Sequence, residues 1–378
     1  MRRFIILVAA LSLVGAACGG GSSEAQAAAD ECSLGEVDGD LNLYNWTEYI
    51  PTGSIAEEAE VTDLLAAFEE ETGAKVVLTE YDSNETMLAQ IDAGVAFDLV
   101  VPSDYMVSIM KTSDLLVELN PETIPNLANI AEEFTDLPYD PGNVYSVPYQ
   151  WGTTGIGYAY GAIDDEDGVS WGVIFDQDQA APNAGFISLL DDERETMGAA
   201  LIYLGYSLNT TNEAEVDEAA ALIKETKDWI GSFNSAGYWD LLTTGETVVA
   251  QGWNGDFLFA YDEASTDDYD AYEDFGYAIP IEGAAAWVDT MAIPITAEHP
   301  CTAQTFINFM LDPFNGAELT NYNYYASPNA AAEEFIWEEI LEWEAIYPPP
   351  EVVERLEFFA DLGDFGTYYA DAYSAAKS

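Results

Sequence analysis

Two periodicities take turns along this chain, and that alternation limits the folds open to it more than any other feature. Leu41 to Trp46 alternates apolar and polar residues with period two, as a half-buried strand does, and Pro51 with Gly53 stops it. Glu57 to Glu71 then carries Val61, Leu64, Leu65 and Phe68 at helical spacing and ends at Gly73, suited to a left-handed cap. Lys75 to Leu78 reads as a strand and Asn84 to Ala93 as a helix. Phe97 to Val101 is a buried strand closed by Pro102, ahead of a helix from Tyr105 to Leu115. This βαβαβ succession implies an α/β fold, a mostly parallel sheet flanked by helices.

A second alternating region follows. Ser188 to Leu190 is a strand that runs into Asp191–Glu195, the opening of a helix through Leu204. A long helix is expected from Glu213 to Ile230, capped by Thr211 or Asn212. Val248 to Trp253 reads as a strand, with Asn254-Gly255-Asp256 turning into the next helix. Short strands are expected at Tyr277–Pro280 and Met291–Pro294, and helices at Gln304–Leu311, Ala331–Ala345 and Glu351–Leu362. Asp262 to Asp274 is an acidic, Tyr-rich surface loop. No repeat of 20 to 50 residues is present, which excludes solenoids and propellers.

The first strand ends in Trp46, Thr47, Glu48 and Tyr49, placing ring faces and a negative charge where open α/β sheets bind ligands. The pairing recurs as Trp253 with Asp256 and Trp287 with Asp289, and rings beside carboxylates suit an organic cation. Among 378 residues, 70 are acidic and 9 basic, a formal net charge of −61. That balance repels nucleic acid and disfavours anionic lipid surfaces, whereas a cationic ligand is drawn in. Solubility or adaptation to saline surroundings accounts for most of the total, since salt screens exposed charges within about a Debye length.

Residues 1–17 read as a signal peptide: basic Arg2 and Arg3, an apolar run from Phe4 to Val14, then Gly15-Ala16-Ala17. With Cys18 and the Gly/Ser stretch after it, this resembles a bacterial lipoprotein signal in which Cys18 becomes lipidated, although Gly15 stands where Leu is usual. An ordinary secretory signal is the other reading, and either places the mature chain outside the cytoplasm. Residues 18–32 are expected to be a flexible tether. Cys32 and Cys301 then remain in an oxidising compartment, which favours a disulfide over two buried free thiols. No Cys/His spacing suggests a metal site.

Several segments closely resemble the spermidine/putrescine-binding proteins of bacterial ABC transporters. They are Leu43–Tyr49, Tyr81–Met87, Phe97–Tyr105, Tyr145–Gly152, Leu190–Glu195, Leu204–Ser207, Trp253–Asp256 and Trp287–Asp289, in the family's order. The resemblance implies a two-lobed clamshell of the type II periplasmic-binding-protein kind, each lobe a mostly parallel sheet flanked by helices. Residues 33–152 and 288–330 would form the first lobe, and 153–287 with 331–378 the second. Cys32 and Cys301 then lie in or beside one lobe. It also implies a polyamine, spermidine or putrescine, in the interlobe cleft, an ABC permease as partner, a monomer and no cofactor. Trp46, Tyr49, Tyr105, Trp253, Trp287 and Tyr325 match ring positions around the methylene chain. Glu48, Asp192, Glu195 and Asp289 match carboxylates, and Thr47 and Ser103 match hydrogen-bonding positions.

Asp256 resembles the putrescine-preferring members, whereas Trp287 and Thr47-Glu48 resemble the spermidine-preferring ones. Phe359 stands near a position where some spermidine binders carry an amide, and is left out of the site. Each candidate also has a purely structural reading. Asp192 and Glu195 suit the positive end of a helix, Trp253 and Trp287 a core, Glu48 a solvated turn and Asp256 an N-cap after Gly255. An enzyme is the rival class, but the one histidine, His299, has no nucleophile elbow nearby. Paired carboxylates for glycoside hydrolysis, ferric-ion capture through Tyr324-Tyr325, and a sugar on the aromatic cleft are further alternatives.

Overall fold

A computed structural model describes residues 23–378 except 165, 167 and 267. The expected signal peptide, Cys18 and the start of the tether lie outside the described residues. The strands are β1 (Leu41–Trp46), β2 (Val76–Tyr81), β3 (Leu99–Val100), β4 (Ser146–Ala159) and β5 (Ile187–Leu189). They continue with β6 (Ile230–Phe233), β7 (Val249–Trp253), β8 (Phe275–Ala278), β9 (Ala284–Ala292) and β10 (Leu356–Phe358).

β1 pairs in parallel with both β2 and β3, and β5 pairs in parallel with both β6 and β7. These two parallel sets sit at opposite ends of the order β2-β1-β3-β9-β4-β7-β5-β6. Between them β4 and β9 run antiparallel from Ser146↔Ala292 to Thr154↔Ala285 and cross from one half to the other. The result is the two-lobed α/β clamshell. Leu43, Phe68, Leu99, Val288 and Phe306 fill one core, and Ile156, Trp171, Leu189, Met197 and Ile223 fill another.

Local chemistry sets the helix ends. Gly73 adopts φ +81° after the Leu64–Thr72 helix, and Ser83 caps Asn84–Asp92 by accepting from the Thr86 N–H at 3.2 Å. Asn212 caps Glu213–Thr226.

Several elements differ from the sequence reading. The helix expected over Glu57–Glu71 is two, Gly53–Glu58 and Leu64–Thr72, because Glu60 turns to φ +57° and Asp63 starts a new cap. Residues 24–31 are not a loose tether. The Ala-rich run Glu24–Glu31 is a helix capped by Ser23, with Ala25 and Ala29 buried against Pro300–Met310. A disulfide joins Cys32, at its end, to Cys301. The helix Glu213–Ile230 stops at Thr226, and Ile230 begins β6. Ala331–Ala345 is a 3₁₀ turn (Ala330–Glu334) plus the short helix Glu338–Glu342. Glu351–Leu362 is one turn of helix at Pro350–Val353 and then β10, which pairs with β9 through Leu356↔Ala284. Pro350 stands at the first position of that turn, where its missing N–H costs no hydrogen bond, and pairing with β9 takes the chain into a strand from Leu356.

Candidate functional site

Every residue named above as a candidate ligand contact borders a single cavity of about 210 Å³ between the lobes. The first wall grows from the carboxyl end of β1. Trp46 is tied down by its indole N–H, which donates to the Val101 carbonyl at 2.8 Å, and its ring lies 4.6 Å from Tyr81. Thr47 continues the strand by donating its N–H to the Tyr81 carbonyl. Glu48 breaks it with φ +56°, a conformation that costs a non-glycine residue strain, and leaves its side chain exposed at the cavity mouth. Tyr49 is buried against Tyr149 and Tyr325. The solvated-turn reading of Glu48 is thus realised, at the edge of the cavity.

Ser103 precedes the Asp104–Thr112 helix but makes no side-chain cap. Its hydroxyl instead donates to Asp289 Oδ1 at 2.6 Å, across a bridge between the two residues. Asn84 organises this corner, donating from Nδ2 to the Ser103 and Tyr105 hydroxyls at 3.1 Å and accepting the Ser103 N–H. The Tyr105 hydroxyl donates to Glu85.

The opposite wall comes from β7 and two helix starts. Asp192 caps the Glu193–Tyr203 helix through Oδ1, which accepts the Arg194 and Glu195 N–H groups at 2.8 and 3.0 Å. Its helix-end reading therefore holds while it also faces the cavity. Glu195 Oε1 accepts the Trp253 indole N–H at 2.9 Å, and Oε2 is buried with no partner. Asp256 is not an N-cap: the backbone cap is Trp253, and Asp256 sits in the first turn of the Asn254–Ala264 helix. Its two oxygens accept the Tyr238 and Tyr325 hydroxyls at 2.8 and 2.5 Å. Tyr325 also meets Trp287 edge to face at 5.0 Å. Gly255 permits this approach, because a Cβ there would lie 2.6 Å from the Tyr325 ring and 2.5 Å from the Asn323 carbonyl.

Burial dominates the electrostatics. It pushes the Asp289 carboxyl up to about 7, against the pull of the Ser103 hydrogen bond. Glu195 rises to about 8 through burial and the neighbouring Asp192 charge, and Asp256 to about 6 against its tyrosine hydrogen bonds. Asp192 is also raised by burial. Arg194 offsets part of the burial at Asp192 and Glu195, whereas Asp256 and Asp289 are held only by hydroxyl hydrogen bonds, and a bound ammonium would supply the missing charge.

Some lining residues carried little sequence signal. Asn84 lay inside a recognised segment, and its one hint was a polar side chain just after a Ser already able to cap. Trp239 and Phe259 add rings. Phe359, excluded at the sequence level, lines the cavity because β10 carries it in, with its ring 6.3 Å from Tyr105. Arg194 borders the same end. Its guanidinium is held by the Asn209 side chain and the Ala360 carbonyl, and it stacks among Tyr105, Phe359 and Tyr369. His299 is remote from the cavity, with Nδ1 3.3 Å from the buried Asp98.

A concave interlobe cavity on a type II periplasmic-binding-protein frame, walled by rings and carboxylates, defines a receptor for a small solute. The bacterial extracellular solute-binding protein model matches residues 63–346, and the chain belongs to that family, a transport family rather than an enzyme family. It is 33% identical over 340 residues to the spermidine/putrescine-binding periplasmic protein of Escherichia coli K12, covering 89% of this chain and 91% of that one. It is 36% identical over 325 residues to the putrescine/cadaverine-binding protein of Pseudomonas aeruginosa, covering 85% and 88%. A solved putative spermidine/putrescine ABC transporter protein from Listeria monocytogenes superposes with a TM-score of 0.79 at 36% identity, covering 90% and 99%.

Proposed function

We propose that this chain captures a linear polyamine, spermidine or putrescine, in the interlobe cleft outside the cytoplasm and hands it to an ABC importer. One observation carries the reading: Asp192, Glu195, Asp256 and Asp289 are gathered in one cavity and interleaved with Trp and Tyr rings. Ammonium groups pair with carboxylates through charge-assisted hydrogen bonds of about 1.5–3 kcal/mol, and each ring face over a cation adds about 0.5–2 kcal/mol. Asp289, Glu195 and Asp256 are the ammonium acceptors. Trp46, Tyr105, Trp253, Trp287 and Tyr325 enclose the methylene chain, with Tyr49 behind them. Ser103 positions Asp289, Thr47 offers a hydroxyl, and Glu48 guides the amine at the mouth. Capture needs no bond-breaking step, so no catalytic residue is assigned.

The lobes are residues 33–152 with 288–330, and 153–287 with 331–378. The cross-strand pair Gly152↔Trp287 supports crossing points at those places. The protein acts as a monomer. A lipid on Cys18 would hold it to the outer face of the cytoplasmic membrane, with the disulfide Cys32–Cys301 fastening the anchored segment to the first lobe. Among the described residues no helix is long and apolar enough to cross a membrane, and no group of His, Cys, Asp and Glu is placed to hold a metal.

The test is a thermal-shift panel of putrescine, spermidine, cadaverine, agmatine, sugars, amino acids and ferric citrate. Amines alone should raise the melting temperature. A sugar or ferric response without an amine response would overturn the proposal.

A further inference from the structure

Asp104 is a buried carboxyl that the cleft wall does not use. It opens the Asp104–Thr112 helix between Ser103 and Tyr105 and is 1% exposed. Ser103 and Tyr105 border the cavity, as do Trp287 and Asp289 on β9, whereas Asp104 and Val288, the middle residues of these two segments, lie behind the wall. The Ser103↔Asp289 bridge joins the segments, so Asp104 backs onto Asp289. Its Oδ1 accepts the Tyr105 N–H at 2.6 Å, and its Oδ2 is buried with no partner. The Tyr139 hydroxyl is buried without a partner too, and after burial the Asp104 charge raises it most, ahead of Asp140 and Asp289.

No Lys or Arg pairs with Asp104 among the described residues. Lys111, on the same helix, is engaged by Asp140 and the Tyr139 carbonyl, and Arg194 by Asn209 and the Ala360 carbonyl. Burial pushes the Asp104 carboxyl up to about 8. The Tyr105 N–H opposes that rise, the Asp289 charge adds to it, and the Val288 N–H and Arg194 pull back. Two neighbouring carboxyls in a dry interior do not both ionise unless a cation joins them. An ammonium on Asp289 is that cation: it cancels the like charge that Asp104 faces.

We propose that Asp104 is a reserve carboxyl behind Asp289, protonated while the cleft is empty and ionised when an ammonium binds Asp289. Its O–H bond breaks, the proton leaves to solvent, and the new carboxylate strengthens the hold on the amine from behind the wall. Asp104 touches no ligand and acts through Asp289, as a positioning residue for charge. The inference rests on the polyamine reading of the cleft and adds a proton coupling to it: the protein holds a diamine more tightly in alkaline surroundings than its lining carboxylates alone would.

Putrescine titrations by calorimetry test this, in buffers of low and high ionisation enthalpy at pH 6.5, 7.5 and 8.5. They compare the wild type with Asp104→Asn, which keeps the shape and an acceptor for the Tyr105 N–H, and with the smaller, uncharged Asp104→Ser. At pH 7.5 the wild type should release about half a proton more than either variant. Its gain in affinity from pH 6.5 to 8.5 should exceed theirs about three- to tenfold. A merely structural residue would shift affinity alike at every pH and leave the proton count unchanged. Equal proton counts and equal pH slopes in the wild type and a folded variant would overturn the reserve carboxyl while leaving the cleft standing. A wild type that binds no polyamine would overturn the polyamine reading itself.

Discussion

Asp289→Asn should make the ligand-free protein more stable and the binding protein worse, opposite signs from one isosteric change. Asp289 is 6% exposed and its carboxyl is raised from 3.8 to about 7. A carboxyl raised on folding contributes stability below its unfolded value and loses it as pH rises through the folded value. At pH 8 the ionised group is therefore a liability worth as much as ~4 kcal/mol, taking 1.36 kcal/mol for each of about three pH units. Asn keeps the shape and can accept the Ser103 hydroxyl through Oδ1, so most of that cost disappears. Binding loses a charged partner for a buried ammonium, about 2–5 kcal/mol, or roughly 30- to several thousand-fold in Kd. Urea unfolding at pH 5 and pH 8, with putrescine titrations on the same samples, reads both. The variant should gain stability at pH 8 much more than at pH 5. Equal stability at both pH values with undiminished affinity would refute the placement of Asp289 as a buried, unneutralised ammonium acceptor.

Affinity for a diamine should fall as pH drops from 9 to 6, because Glu195, Asp289 and Asp256 take up protons at about 8, 7 and 6 and protonated carboxyls cannot pair with ammonium. Titrations in buffers of different ionisation enthalpy should show proton release near pH 7, and a flat profile would count against the shared site. Gly255→Ala should push the Tyr325 ring from Asp256 and cost about 1–3 kcal/mol of stability along with most of the affinity, read by thermal melts and calorimetry. Cys301→Ser should lower stability by about 2–5 kcal/mol and expose residues 24–32 to proteolysis, yet leave amine affinity near wild type, because the disulfide lies away from the cleft.

Periodicity made the first lobe legible. β1, the cap at Gly73 and the parallel pairing of the first strands follow from local patterns, because half-buried strands and surface helices differ in spacing. The long crossing strand β4 was not legible: Gly152, Gly155 and Gly157 weaken any strand signature, and rings from Trp287, Tyr277 and Phe257 press against them. β6 and β10 are short and owe their form to pairing with β5 and β9 rather than to propensity. In the site, rings and carboxylates announced themselves by type and order. The Asn84 brace depends on two segments of one lobe meeting, and the Arg194 stack and Phe359 on segments far apart in the chain, and only tertiary packing decides that. Asp256 shows the same limit, since its neighbours suggested a cap and the fold made it the acceptor of two tyrosine hydroxyls.

The central claim is that buried carboxylates and rings hold a multiply charged linear amine between the lobes. Calorimetric titration of spermidine and putrescine into the folded wild-type protein tests it most directly. Saturable one-to-one heat at low-micromolar affinity or tighter, about 8 kcal/mol or more, is the predicted result. Folded protein that gives no heat with any polyamine would contradict it.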